Sequence, residues 1–130
     1  MPPGGADLRA LQNSALSKIH HELVTQVWLE DTLLEVDSES KDLPDNSDIR
    51  VNVKEWLRVF NRAKKIPTSL VEEISKTIVY SQQAWQESRS LNDFGVFQSW
   101  LIKIIDLKRQ QAKCLGNGSV EYDSLIEDYE

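Results

Sequence analysis

Apolar residues recur along this chain at intervals of three and four, the period of an amphipathic α-helix, and no alternation of period two persists. After a Pro2-Pro3-Gly4-Gly5 entry that cannot extend a helix backwards, Leu8, Leu11, Ala15, Ile19 and Leu23 form one stripe of a helix over 6–24. Thr25 is placed to cap a shorter helix near 26–36 carrying Val27, Trp28, Leu29, Leu33 and Leu34. Residues 37–47, DSESKDLPDNS, are polar and aperiodic and form a loop. Ser47 or Asp48 caps a third helix over 48–65, with Val53, Trp56, Leu57, Phe60 and Ala63 on one face. Pro67 ends it, because the residue before a proline is pushed out of the α region.

Ser69-Leu70-Val71-Glu72 has capping-box spacing and opens a fourth helix over 69–90. That helix is expected to bury Leu70, Val71, Ile74, Ile78, Ser81, Trp85 and Ser88. Asn92 or Asp93 caps a fifth helix over 93–115, with Phe94, Phe97, Leu101, Ile104, Ile105 and Leu115 in its stripe and Trp100 beside it. Gly116 stands where a glycine stops a helix, and the tail 116–130 holds at most one helical turn around Tyr122 to Glu127. The pattern predicts an all-α fold: one helical region over 1–130, an antiparallel bundle of about five helices where the loops are short.

Composition narrows the function. With 130 residues, 40% hydrophobic and 28% charged, the chain has the size of one domain and can bury a core without staples. No apolar run is long enough to span a bilayer, and no secretory leader is visible, so a membrane is not an expected partner. Cys114 is the only cysteine, which precludes an internal disulfide and suits a cytoplasmic location. The net charge is −6, and the only adjacent basic pairs, Lys64-Lys65 and Lys108-Arg109, lie on helices rich in acids. Nucleic acid is therefore not expected either.

The candidate chemistry is sparse. His21-Glu22 begins like the H-E-x-x-H helix of zinc proteases, whose two histidines four apart share one face. Thr25 occupies the second ligand position, and His20 points about 100° away around the helix. Two histidines and one cysteine do not suggest a three-ligand zinc site, so no catalytic, cofactor-binding or metal-ligating residue is assigned. The acidic pairs Glu30-Asp31, Glu72-Glu73 and Glu127-Asp128 read as solvated faces, and Cys114 as a packed or half-exposed thiol. Gly116-Asn117-Gly118 follows a helix, so it is a stop and not a phosphate loop. Trp28, Trp56, Trp85 and Trp100 lie at or beside apolar stripes and are expected in helix–helix packing; an exposed subset would mark a partner surface.

The segments MPPGGADLRALQ and ALSKIHHELVT resemble the carboxypeptidase Taq (thermostable carboxypeptidase) family of metallocarboxypeptidases. So do VKEWLRVFNRAKKIPTSLVEEISK, AWQESRSLNDFGVFQSWLIKIIDLKRQQAKCLG and EYDSLIEDYE, in the same order; the resemblance thins over Gln26 to Asp48. It implies that the chain matches part of the family's N-terminal helical region, truncated at both ends. The family's H-E-x-x-H helix, third glutamate ligand and substrate-binding residues would lie in the part not spanned. His21-Glu22 then falls in a non-catalytic region. The full-length family implies a cytoplasmic, often dimeric enzyme that uses a zinc or cobalt-type metal to remove C-terminal residues from peptides. This stretch would flank its substrate groove, bind no cofactor and be inactive alone. Its partners would be the remainder of the carboxypeptidase fold or a second copy. The alternative is a stand-alone helical interaction module derived from that scaffold.

Overall fold

A computed structural model describes residues 4–116 and 122–126. The fold is all-α, with helices α1 Ala6–Val24, α2 Val27–Glu39, α3 Asp48–Lys65, α4 Thr68–Leu91, α5 Gly95–Leu115 and α6 Asp123–Ile126. The chain gathers into two compact units, one of residues 20–65 and one of residues up to Ile19 together with those from Ile66 onward.

In the unit that contains α4 and α5, those two helices run antiparallel. Tyr80 stacks on Trp100 with ring centroids 5.3 Å apart. Glu73 pairs with Lys103, whose ammonium sits 5.9 Å over the Trp100 ring. Leu70, Thr77, Ser81, Ala84 and Ser88 are buried at helical spacing on α4, as are Leu107, Ala112 and Leu115 on α5. The turn between them has local causes. Asn92 adopts the left-handed conformation (φ 51°) that asparagine tolerates, and the next amide, Asp93 N–H, bonds back to the Ser88 carbonyl at 3.0 Å. The Ser88 hydroxyl donates to the Asp93 carbonyl at 2.7 Å. The Asp93 carboxylate then accepts the Gly95 amide at 2.8 Å, opening α5. A Cβ on Gly95 would stand 3.0 Å from that carboxylate oxygen, so glycine lets the cap close.

Helix α1 is inverted relative to its sequence pattern. Leu8, Leu11, Ile19 and Leu23, the stripe expected to pack, are 53–63% exposed. On the opposite face, in this unit, Ala6 and Ala10 are buried and Ser14 and Ser17 half-buried. Side chains of this small-residue face reach α4. The Ser17 hydroxyl donates to Ser75 Oγ at 2.9 Å, and Ser14 reaches the Glu72 carbonyl at 3.4 Å. Lys18 approaches the Glu72 carboxylate at 3.9 Å, and Asp7 is among the groups that raise the pKa of Tyr80.

In the unit of residues 20–65, α2 and α3 are also antiparallel. Lys64 pairs with Glu30 at 2.7 Å near one end, and Arg50 with Asp37 at 2.9 Å near the other. Val53 and Phe60 are the buried apolar residues of α3, while α2 has none. Helix α2 runs past 36 to Glu39, because its last carbonyls find donors. The Ser40 amide bonds the Val36 carbonyl at 3.0 Å, and the Arg50 guanidinium reaches the Asp37 carbonyl at 3.3 Å.

Three details depart from expectation. Thr25 does not cap α2; its hydroxyl donates to the His21 carbonyl at 2.7 Å and so finishes α1. The Ser69–Glu72 capping box has no helix start to serve, because α4 begins at Thr68 behind Pro67 and Ser69 is already inside it. Trp85 is 48% exposed, and the core position is Ala84, at 7%. Ile78, Phe94 and Ile105 are likewise exposed, while Leu101 is half-buried.

Leu107→Ala should cost about 2–5 kcal/mol in a denaturant melt, as for a buried leucine. Trp85→Ala should cost about 1 kcal/mol or less, because half its surface stays in water. The reverse order would show the α4–α5 faces to be misassigned. The Tyr80 hydroxyl titrates above its ordinary value of 10.0, first because burial disfavours the phenolate and then because Asp7 holds its proton. Below pH 10 both folded and unfolded chains keep this proton; above it the unfolded chain releases it first, so stability falls as pH rises. The melting temperature of the parent chain should therefore drop more steeply above pH 10 than that of Tyr80→Phe; parallel curves would contradict the raised Tyr80 pKa.

Candidate functional site

His21 is buried on the last turns of α1, where its Nε2 donates to the Ala63 carbonyl of α3 at 3.0 Å. That carbonyl belongs to the final turn of α3 and has no partner in its own helix, so the imidazole acts as a C-terminal cap. His20 and Glu22 lie in solvent, and Thr25 is committed to the His21 carbonyl. The start of an H-E-x-x-H pattern is thus spent on joining helices. Among the described residues, no group of three or more His, Cys, Asp and Glu is placed to hold a metal ion. The described side chains do not fit a catalytic metal.

The other candidates are accounted for one by one. Glu30 is neutralised by Lys64, Glu72 lies beside Lys18, and Glu73 pairs with Lys103. Glu127-Asp128 lies outside the described residues, as do Asn117 and Gly118. Gly116 ends α5 by donating its amide to the Ala112 carbonyl at 2.8 Å. Cys114 is a half-buried thiol in an open cleft beside Pro67, Leu70, Glu73 and Leu107, and no histidine lines that cleft. The basic pairs are equally engaged: Lys108 donates to Gln111 at 2.9 Å, and Arg109 approaches Asp106 at 3.6 Å. They form no continuous cationic face of the kind that tracks a phosphate backbone.

The tryptophans divide. Trp100 is packed against Tyr80. Trp28 and Trp56, both in the unit of residues 20–65, are 59% and 57% exposed, and Trp85 carries the Arg89 guanidinium 5.4 Å over its ring. Expected packing positions thus become surface. Near the α4–α5 turn, Trp85, Arg89, Phe94 and Phe97 line an open hollow of about 360 Å³. The functional geometry of this chain is therefore one of surfaces: apolar side chains displayed on helices, with several polar groups engaged in joining those helices. Sequence reasoning missed the α1–α4 seam, although Ala6, Ala10, Ser14 and Ser17, spaced at four, four and three, are a legible small-residue face.

Comparison with known proteins gives this arrangement its context. Thermostable carboxypeptidase 1 of Pyrococcus furiosus is 30% identical over 134 residues, which is 100% of this chain and 26% of that protein. Thermostable carboxypeptidase 1 of Thermus thermophilus is 28% identical over 139 residues, covering 100% of this chain and 27% of its own length. The chain thus spans about a quarter of the curated relatives it matches. A solved apo-Mg structure of Pyrococcus furiosus carboxypeptidase superposes with a TM-score of 0.78 at 29% identity, over 100% of this chain and 26% of that one. A crystal structure named BsuCP superposes with a TM-score of 0.86 over 98% of this chain and 25% of that one; at 22% identity it speaks for the fold alone. The family model of the carboxypeptidase Taq (M32) metallopeptidases matches residues 1–130, and the chain belongs to that family.

Proposed function

We propose that this chain serves as an N-terminal helical segment of a metal-dependent carboxypeptidase and builds part of the wall beside its substrate groove. The chemistry, removal of C-terminal residues from peptides, belongs to polypeptide outside this stretch, which supplies the H-E-x-x-H helix, the glutamate ligand and a zinc or cobalt-type ion. The observation that carries the reading is the combination of a family match along the whole chain with the absence of any metal-ligand cluster among the described residues. His21 strengthens it: the residue that most resembles a ligand is buried and bonded to a backbone carbonyl. We place the whole enzyme in the cytoplasm, where a lone reduced thiol such as Cys114 is at home, and expect it to assemble as a homo-oligomer.

The purified chain, with or without zinc or cobalt, should release no C-terminal residue from blocked dipeptides. Exchanged for the matching quarter of the Pyrococcus furiosus enzyme, it should support metal-dependent release. Metal-dependent hydrolysis by the 130-residue chain itself would overturn the proposal.

A further inference from the structure

Helix α1 displays large aliphatic side chains on one side and small ones on the other, and the small side is the one already occupied. Leu8, Leu11, Leu16 and Ile19 are 63%, 58%, 65% and 53% exposed, and Ala15 lies among them. With 100° per residue, Leu8, Leu11, Ala15 and Ile19 fall within an arc of about 80°, and Leu16 flanks it. Together the four large side chains leave on the order of 400 Å² of apolar surface in water, the size of the largest patch on a typical monomer, which is often a contact site.

We infer that this face of α1 is the seat of an apolar element from the part of the carboxypeptidase polypeptide that the chain does not span. The inference rests on the reading of the chain as one segment of that enzyme. Two observations select this occupant. The relatives are about four times as long as the stretch matched here, so most of their polypeptide remains to be placed against it. The patch also does not exceed the apolar share, a little over half, of the ~800 Å² per partner that a stable dimer buries. A second copy would have to repay the loss of translational and rotational freedom from that small area, whereas a covalently continuous segment does not. Ser14 and Ser17 bond α4 from the opposite side of α1, so the leucine face is the side turned away from α4.

The test is a double substitution, Leu11→Gln with Ile19→Gln, which keeps good helix propensity. In the isolated chain it should lower the fluorescence of a bound apolar dye by about threefold or more, with far-ultraviolet circular dichroism unchanged. At the aligned positions of full-length Pyrococcus furiosus carboxypeptidase the same change should lower the melting temperature by about 5 °C or more. An unchanged melting temperature in that enzyme would overturn the inference, as would an isolated chain that binds no dye. A discrete dimer that the substitutions disperse would also overturn it, by showing that a second copy covers the face. Melting temperature is read without peptidase activity, so failure of the chimaera to cleave peptides bears on the proposed function alone.

Discussion

Ala6, Ala10, Ser14 and Ser17 project little from the surface of α1, and from this side Ser17 bonds Ser75 of α4 directly at 2.9 Å. Because the small side faces inward, the leucines face outward. The hydrophobic effect alone would rotate the helix by about half a turn to bury them. The specific contacts on the small side are the serine pair, Ser14 to the Glu72 carbonyl, and Lys18 beside Glu72. A leucine face in place of the small one would push the two backbones apart and lose those bonds. Much of what is distinctive about the surface follows from this one orientation.

The same logic runs through the unit of residues 20–65. Its helices are tied by polar clasps, Lys64 to Glu30, Arg50 to Asp37 and His21 to the Ala63 carbonyl, more than by a filled core. Val53 and Phe60 are buried on α3, while Trp28, Trp56 and Leu34 remain open. A pair of helices held this way has apolar surface to spare. Such economy fits the proposed role of a segment within a longer polypeptide, and this stretch is about a quarter of the length of the relatives it matches.

Helix existence and period were written locally and could be read. Pro67 before α4 and Gly116 after α5 act through their own backbones, so they mark boundaries wherever they fall. The amphipathic period of α1 was equally visible, but the side it would bury was not, because a stripe reports only that some partner exists. Leu8, Leu11 and Ile19 are exposed, so reading their stripe as the local core inverted the helix. Trp85 failed for a different reason. Both Ala84 and Trp85 lie near the α4 stripe, and close helix contact selected the smaller of the two. The role of His21 was hidden because its acceptor, the Ala63 carbonyl, lies forty-two positions away. The small-residue face of α1 was legible and went unread, since alanine and serine carry little weight in a hydrophobicity pattern.

The orientation of α1 is open to a direct chemical measurement. In a Cys114→Ser background, single Ala10→Cys and Leu11→Cys substitutions place a thiol on each side of the helix, 0% and 58% exposed at the parent residues. The account predicts that the thiol at position 11 reacts with a soluble maleimide about as fast as a free one. The thiol at position 10 should react at least about tenfold more slowly, limited by local opening. Rapid reaction at position 10 with protection at position 11 would mean that the leucine face is the packed one, and the account of this chain as a segment awaiting its neighbours would fall with it.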